Sequence, residues 1–173
     1  VHVPGMLYAS VERSSVFLGK VVRFNADKAK AVPGVKEVVQ TQRTVWGKNR
    51  EGVAVIADSY WAAEQGRKAL EVTWDNIDLE KYSSQTIKED YRQASTQPGV
   101  VLKDHGDFND AIGKAAHLVE ASYETPYQSH ACMEPMNATV SVSGNRCEFW
   151  GSTQNPNGVR SQLAKQLDIP EEN

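Results

Sequence analysis

The run Gly52-Val53-Ala54-Val55-Ile56-Ala57 constrains the fold more than any other stretch. It is apolar almost throughout, which is the pattern of a buried strand. Asp58 or Ser59 follows directly and can cap a helix through about Ala69. Both side chains accept from the free N–H groups of a first helical turn. Leu70-Glu71-Val72-Thr73-Trp74 then alternates strictly, as a half-exposed strand does. Upstream, Gly5–Val11 and Gly19–Phe24 carry strand signals. Ala26–Val32 is helical in composition, Pro33-Gly34 marks a turn, and Val35–Thr41 alternates well enough for a strand. Gly47–Gly52 is charged and turn-like. From Gly5 to Asp75 the chain reads as one small, βαβ-like α+β unit.

The pattern then changes. Asn76–Val100 is polar, with a helix from about Ser84 to Ala94 ended by Gln97-Pro98-Gly99, and reads as a solvated connector. After Val101 the signals restart. Asp107 caps a short helix to Ala116, and His117–Tyr127 alternates as a long strand. Ala138–Val142 and Arg146–Trp150 flank Ser143-Gly144-Asn145 as a hairpin. Pro156–Leu167 is a helix with Asn155 at the cap and Pro156 in the first turn, where its missing N–H costs nothing. At 173 residues the chain suffices for one core, or for one small domain and part of another.

Composition excludes several function classes. Lys and Arg number 19 against 22 Asp and Glu, a net charge of −3 that argues against a nucleic-acid grip built from massed cations. Mean hydropathy is −0.52, and no apolar run approaches the length of a membrane span. Two cysteines, Cys132 and Cys147, cannot form a disulfide framework or a four-thiolate metal site. There is no glycine-rich phosphate loop, no Gly-x-Ser-x-Gly, no His-Glu-x-x-His and no Cys-x-x-Cys. The tryptophans Trp46, Trp61, Trp74 and Trp150 are scattered and form no stacking platform.

Two stretches could carry chemistry. In His130-Ala131-Cys132-Met133-Glu134-Pro135, residues 130, 132 and 134 would share a face if the segment were a strand. Side chains two apart on a strand are about 7 Å apart, which is awkward for three ligands on one ion. The plainer reading is a buried Cys, a hydrogen-bonded His and a carboxylate accepting backbone N–H groups. In Ser152-Thr153-Gln154-Asn155-Pro156-Asn157 the chain leaves a strand and enters a helix. Free N–H groups and the positive helix end lie there, and Gln154 can offer two N–H donors and one acceptor. An ordinary strand-to-helix turn capped by Asn155 explains the same residues.

Taken together, five stretches resemble a known family. They are Val3-Pro4-Gly5-Met6-Leu7-Tyr8-Ala9, Ala31-Val32-Pro33-Gly34-Val35, and Gly52 to Ala63. Tyr123-Glu124-Thr125-Pro126-Tyr127 with His130 to Asn137 follows, then Ser152 to Pro156. In this order they resemble the molybdopterin-binding large subunit of the xanthine oxidase/aldehyde oxidase family. Within it, the isoquinoline 1-oxidoreductase β subunit and membrane-associated aldehyde dehydrogenases are most similar.

The resemblance implies an α+β chain: an α/β-hammerhead domain over residues 1–78, a polar connector with one helix over 79–104, and the beginning of a molybdopterin-binding domain over 105–173. It implies a molybdenum hydroxylase that takes oxygen from water and acts on N-heterocycles or aldehydes. The implied cofactor is molybdopterin cytosine dinucleotide with molybdenum. Electrons would leave through 2Fe-2S clusters on an iron–sulfur small subunit, with a cytochrome c subunit as a further candidate partner, and with the periplasm or membrane surface as the implied compartment and the cytoplasm as the alternative. Gln154 matches the family glutamine that hydrogen-bonds the apical ligand of molybdenum. Gln154 and Asn155 are the cofactor-binding candidates, while His130, Met133 and Glu134 would form active-site wall. The family's glycine-rich Phe-containing loop and its late glutamate base do not occur in these residues. The expectation is therefore an excised piece that is inactive by itself. A non-catalytic module docking a partner subunit is the alternative, and a small metal protein using His130, Cys132 and Glu134 is a third reading.

Overall fold

The computed structural model describes residues 1–45, 47–76 and 81–173. Trp46 and the 78/79 boundary read from the sequence lie outside the described residues. The chain is mixed α+β and divides into two compact units, one of residues 5–127 and one of residues 128–173 with 1–4.

In the first unit, β4 (Lys48–Ala57) is the central strand of a three-stranded antiparallel sheet ordered β1-β4-β3, with β1 at Tyr8–Glu12 and β3 at Val35–Val45. The apolar run of the sequence forms the inner half of β4, and Val53, Val55 and Ala57 have no exposed surface. A second antiparallel pair joins β2 (Lys20–Asn25) to β5 (Glu71–Asp75). No strand pair in either sheet is parallel, so the βαβ-like reading is corrected. The connections instead return each strand beside an antiparallel partner.

The α2 helix (Tyr60–Ala69) starts where the sequence places it. Ser59 Oγ accepts from Ala62 N at 3.2 Å, taking up one of the free first-turn donors. Small residues form its inner face: Ala62, Ala63 and Gly66 are buried. Ala62 and Ala63 pack with Ala57, while Val55 and Val53 cluster with Val38 and Ala29 of α1 (Asp27–Lys30). Gly66 sets how near the helix can come. A Cβ there would stand 2.8 Å from Val55 Cγ1 and 2.9 Å from Val35 Cγ2. At the helix's outer edge Arg67 Nη1 donates to Glu12 Oε2 of β1 at 2.6 Å.

The turn-like reading of Gly47–Gly52 is also corrected. β3 and β4 run on together as a long hairpin, paired from Val35↔Ala57 to Val45↔Lys48. Its outer arm is wet on both faces, so the ladder needs no apolar alternation to satisfy its backbone groups. Arg50 lies over the Phe17 ring there, 4.3 Å from its centroid.

The connector helix is present as α3 (Ser84–Ser95). Its capping box has Ser83 Oγ accepting from Thr86 N at 3.1 Å and Thr86 Oγ1 accepting from Ser83 N at 2.8 Å. Asp107 caps α4 (Phe108–Gly113), as read from the sequence. His117–Tyr127 forms no strand. Its alternation lacks a partner edge among the described residues, and alternation without a partner leaves backbone donors to water.

The second unit contains the hairpin of β6 (Ala138–Ser143) and β7 (Arg146–Gly151), then α5 (Pro156–Leu167). Gly144 turns the hairpin at φ 59°, a conformation that L side chains resist. Among its residues only Ala164 is buried.

Gly66→Ala and Gly113→Ala form a contrast. Helix propensity favours Ala at both by up to about 1 kcal/mol. At Gly66 the two valine contacts outweigh this, and a loss of about 1–3 kcal/mol is expected. At Gly113 nothing lies within 4 Å, so no loss is expected. Urea denaturation of the two variants measures the difference.

Candidate functional site

The candidate site lies at the handover from β7 to α5. Strand alternation continues past the end of β7: Cys147, Phe149, Gly151 and Thr153 all face one groove of about 300 Å³. Val159, Leu163 and Ala164 of α5 form the opposite wall, with Arg160 beside them. The last residues close one end. Asp168 adopts a left-handed conformation at φ 56°, and Ile169 N donates back to Ala164 O at 3.0 Å, which turns the chain off the helix. Cys147 N of β7 then donates to Asn173 O at 3.0 Å.

The helix start is built from Asn155. Its Oδ1 accepts from Gly158 N at 3.0 Å, its carbonyl accepts from Val159 N at 3.1 Å, and its own N–H donates to Thr153 Oγ1 at 3.0 Å. Pro156 has no N–H to satisfy. The Asn155 carboxamide lies so close to Gly158 that a Cβ at 158 would meet its Nδ2 at 2.4 Å. The capping role read from the sequence is therefore present. It commits Oδ1 and leaves Nδ2, which lies beside Gly158, outside the cap bond.

Gln154 is exposed, and its side chain has no hydrogen-bond partner among the described residues. It is neither sealed in apolar packing nor committed to the cap. Its backbone is fixed on both sides, by the Asn155–Thr153 bond and by the helix start.

His130, Met133 and Glu134 lie in irregular, exposed chain between Gln128 and Asn137. Asn137 Nδ2 donates to Pro135 O at 2.8 Å and ends the stretch before β6. None of the three lines the groove, nor do Gln154 and Asn155. The structure thus holds the two amides together but does not gather the five candidates into one pocket. Cys132 is exposed and unpaired, which corrects the buried-Cys reading. Among the described residues no three His, Cys, Asp or Glu side chains come close enough to hold a metal ion.

The groove was not singled out from the sequence. Its signals were present all the same: Val159 and Leu163 four apart on a helix, facing alternate residues of a strand.

Residues 93–173 match the molybdopterin cofactor-binding domain family. Across 98% of its length the chain is 30% identical to the aldehyde oxidoreductase molybdenum-binding subunit PaoC of Escherichia coli. It is 29% identical over 90% of its length to the isoquinoline 1-oxidoreductase subunit beta of Brevundimonas diminuta. The chain is similar to molybdenum-binding subunits of oxidoreductases. Its fold agrees with that of the quinoline 2-oxidoreductase of Pseudomonas putida 86, at a TM-score of 0.63 and 19% identity over 99% of this chain and 26% of the other. The chain spans about a quarter of PaoC's length, 25%, and 20% of the isoquinoline enzyme's subunit. The family read from the sequence is the family these comparisons return.

Asn155→Ala removes the cap on Gly158 and is expected to cost about 1 kcal/mol, whereas Asn155→Asp keeps an accepting oxygen and costs less. Hydrogen exchange of the α5 amides checks this, with faster exchange expected in the alanine variant alone.

Proposed function

We propose that this chain contributes to the molybdenum-binding subunit of an oxidoreductase that hydroxylates N-heterocycles or oxidises aldehydes, with water as the source of oxygen. One observation carries the reading: the stretch matching the cofactor-binding domain contains an exposed, unpartnered carboxamide at Gln154, held where a strand becomes a helix. The donor set fits an anionic, oxygen-rich cofactor. Gln154 offers its amide, Asn155 retains Nδ2, and the positive end of α5 lies beneath them. When bound, the molybdenum cofactor supplies the two-electron redox chemistry.

The chain's own part is positioning. The backbone on both sides of Gln154 is fixed, which sets the reach of its N–H donor, and donors aimed at an oxygen weigh most where charge develops. Asn155 anchors the helix start through its Oδ1. His130, Met133 and Glu134 serve as wall residues that shape the space for substrate. The finer assignments belong to the same proposal: the cytosine dinucleotide form of the cofactor, and electron exit through 2Fe-2S clusters on an iron–sulfur small subunit. A cytochrome c subunit as further acceptor and a periplasmic or membrane-associated location complete it.

Gln154→Ala, made in the complete subunit with its partners, tests the assignment. Losing one donor to the developing charge is expected to lower kcat by about 10²–10³. Molybdenum content, measured by elemental analysis, should stay close to that of the unaltered enzyme, because one amide among many contacts sets little of the affinity. Unchanged turnover at full metal content would reject the role of Gln154. Assay against an aromatic aldehyde and an N-heterocycle side by side separates the two substrate classes.

A further inference from the structure

The α3 helix buries no residue, yet it grips chain more than thirty positions further on. Lys88, Tyr91 and Arg92 fall on one helical face by their spacing. They meet Glu124 and Tyr127 on the irregular stretch that ends the first unit. Arg92 Nη2 donates to Glu124 Oε1 at 3.0 Å. Lys88 Nζ pairs with the other oxygen, Oε2, so each oxygen of one carboxylate has its own cation. The hydroxyls of Tyr91 and Tyr127 share a hydrogen bond. The remaining acidic groups of that helical turn are Glu89, which accepts from Gln93 Nε2 at 3.3 Å, and Asp90.

Apolar burial contributes little to this contact. Tyr91, Tyr123 and Tyr127 keep 62%, 91% and 74% of their surface exposed. The ionic side chains are themselves 40–57% exposed. Lys88, with Arg92, holds the Glu124 carboxyl below the usual carboxylate range. A polar stretch that reads as a solvated connector is therefore a charged hand closed on the chain just ahead of Gln128.

We propose that α3 is an electrostatic latch: Lys88 and Arg92 hold residues 123–127 by their charge on Glu124, and the latch opens with salt while the sheets of the same unit stay folded. The two halves of that unit respond differently because their forces differ. Exposed ion pairs are weak and are screened within about 3 Å at 1 M salt. The packing of Val53, Val55 and Ala63 involves no charge and is not screened. Opening would free the chain leading into Gln128, where the stretch bearing His130 to Glu134 begins.

Nitroxide labels at Gln85→Cys and Thr125→Cys, with Cys132 and Cys147 replaced by Ser in the full chain, read the latch as a distance distribution by pulsed electron resonance. A narrow distribution at about 0.05 M salt that broadens at about 1 M is expected. Glu124→Gln should broaden it at low salt. Arg92→Glu should do the same, and adding Glu124→Arg should narrow it again. A distribution indifferent to salt or to Glu124→Gln overturns the proposal, as does a charge exchange that restores nothing. Hydrogen exchange at Val53–Ala57 is the control. Protection unchanged in Glu124→Gln supports a separate latch, and protection lost with the contact shows that the pair belongs to the folding of the core, which also overturns it.

Discussion

The first unit depends on how closely α2 can approach β4. Ala62, Ala63 and Gly66 present almost no side chain, so the helix settles directly on Val35, Val55 and Ala57. That approach closes the clusters on Val53 and Val55, the largest side chains with no exposed surface. The two sheets of the unit are placed from there. Pairing with β4 fixes β1 and β3, and Val21 N donating to Glu51 Oε2 at 2.8 Å ties the β2–β5 pair to the same strand. Gly52 has the matching role at the other side of β4. A Cβ there would meet Glu12 O of β1 at 2.8 Å, so the central strand is flanked by close approaches on two sides.

Elements whose identity rests on local chemistry were legible in the sequence. Ser59, Asp107 and Asn155 each cap the helix that follows, because an oxygen one turn ahead of free N–H groups acts without reference to the rest of the chain. Elements whose identity rests on a partner were not. Lys48 to Glu51 look like a turn by charge but extend β4, since β3 lies alongside and supplies their backbone partners. His117–Tyr127 shows strand alternation yet lacks an edge to join among the described residues. The contact of α3 with Glu124 was invisible for the same reason: nothing in a polar helix tells which distant carboxylate it will meet. The candidate site divides along this line. The Asn155 cap is local and was legible, whereas the groove between β7 and α5 depends on tertiary packing and was not.

The second unit stands on little burial of its own. A two-stranded hairpin is marginal alone, and here only Ala164 is buried beneath it. The groove lined by Phe149, Val159, Leu163 and Ile169 keeps apolar surface open on the strand-facing side of α5. The irregular stretch ahead of the hairpin is equally open, with Met133 and Met136 almost wholly exposed. The chain spans about a quarter of its aldehyde-oxidoreductase relative, 25%. In the proposed reading, wall residues such as His130 and Glu134 acquire their geometry from packing that this stretch alone does not provide.

Adjacent amides at the start of α5 show why position matters more than residue type. Asn155 and Gln154 carry the same functional group, one methylene apart in length. The shorter side chain reaches back to its own helix, and Oδ1 closes on Gly158 N at 3.0 Å. That bond commits its acceptor and presses the carboxamide against a residue that has room only for hydrogen. Gln154, one residue earlier and outside the helix, has no first-turn N–H in hydrogen-bond contact and keeps both ends of its amide available. In the proposed reading, the cofactor contact is assigned to Gln154, the amide that the cap leaves uncommitted. Exchanging the two residues would put a poor cap on α5 and a shorter, less far-reaching donor at the junction, weakening both functions although the amide count is unchanged.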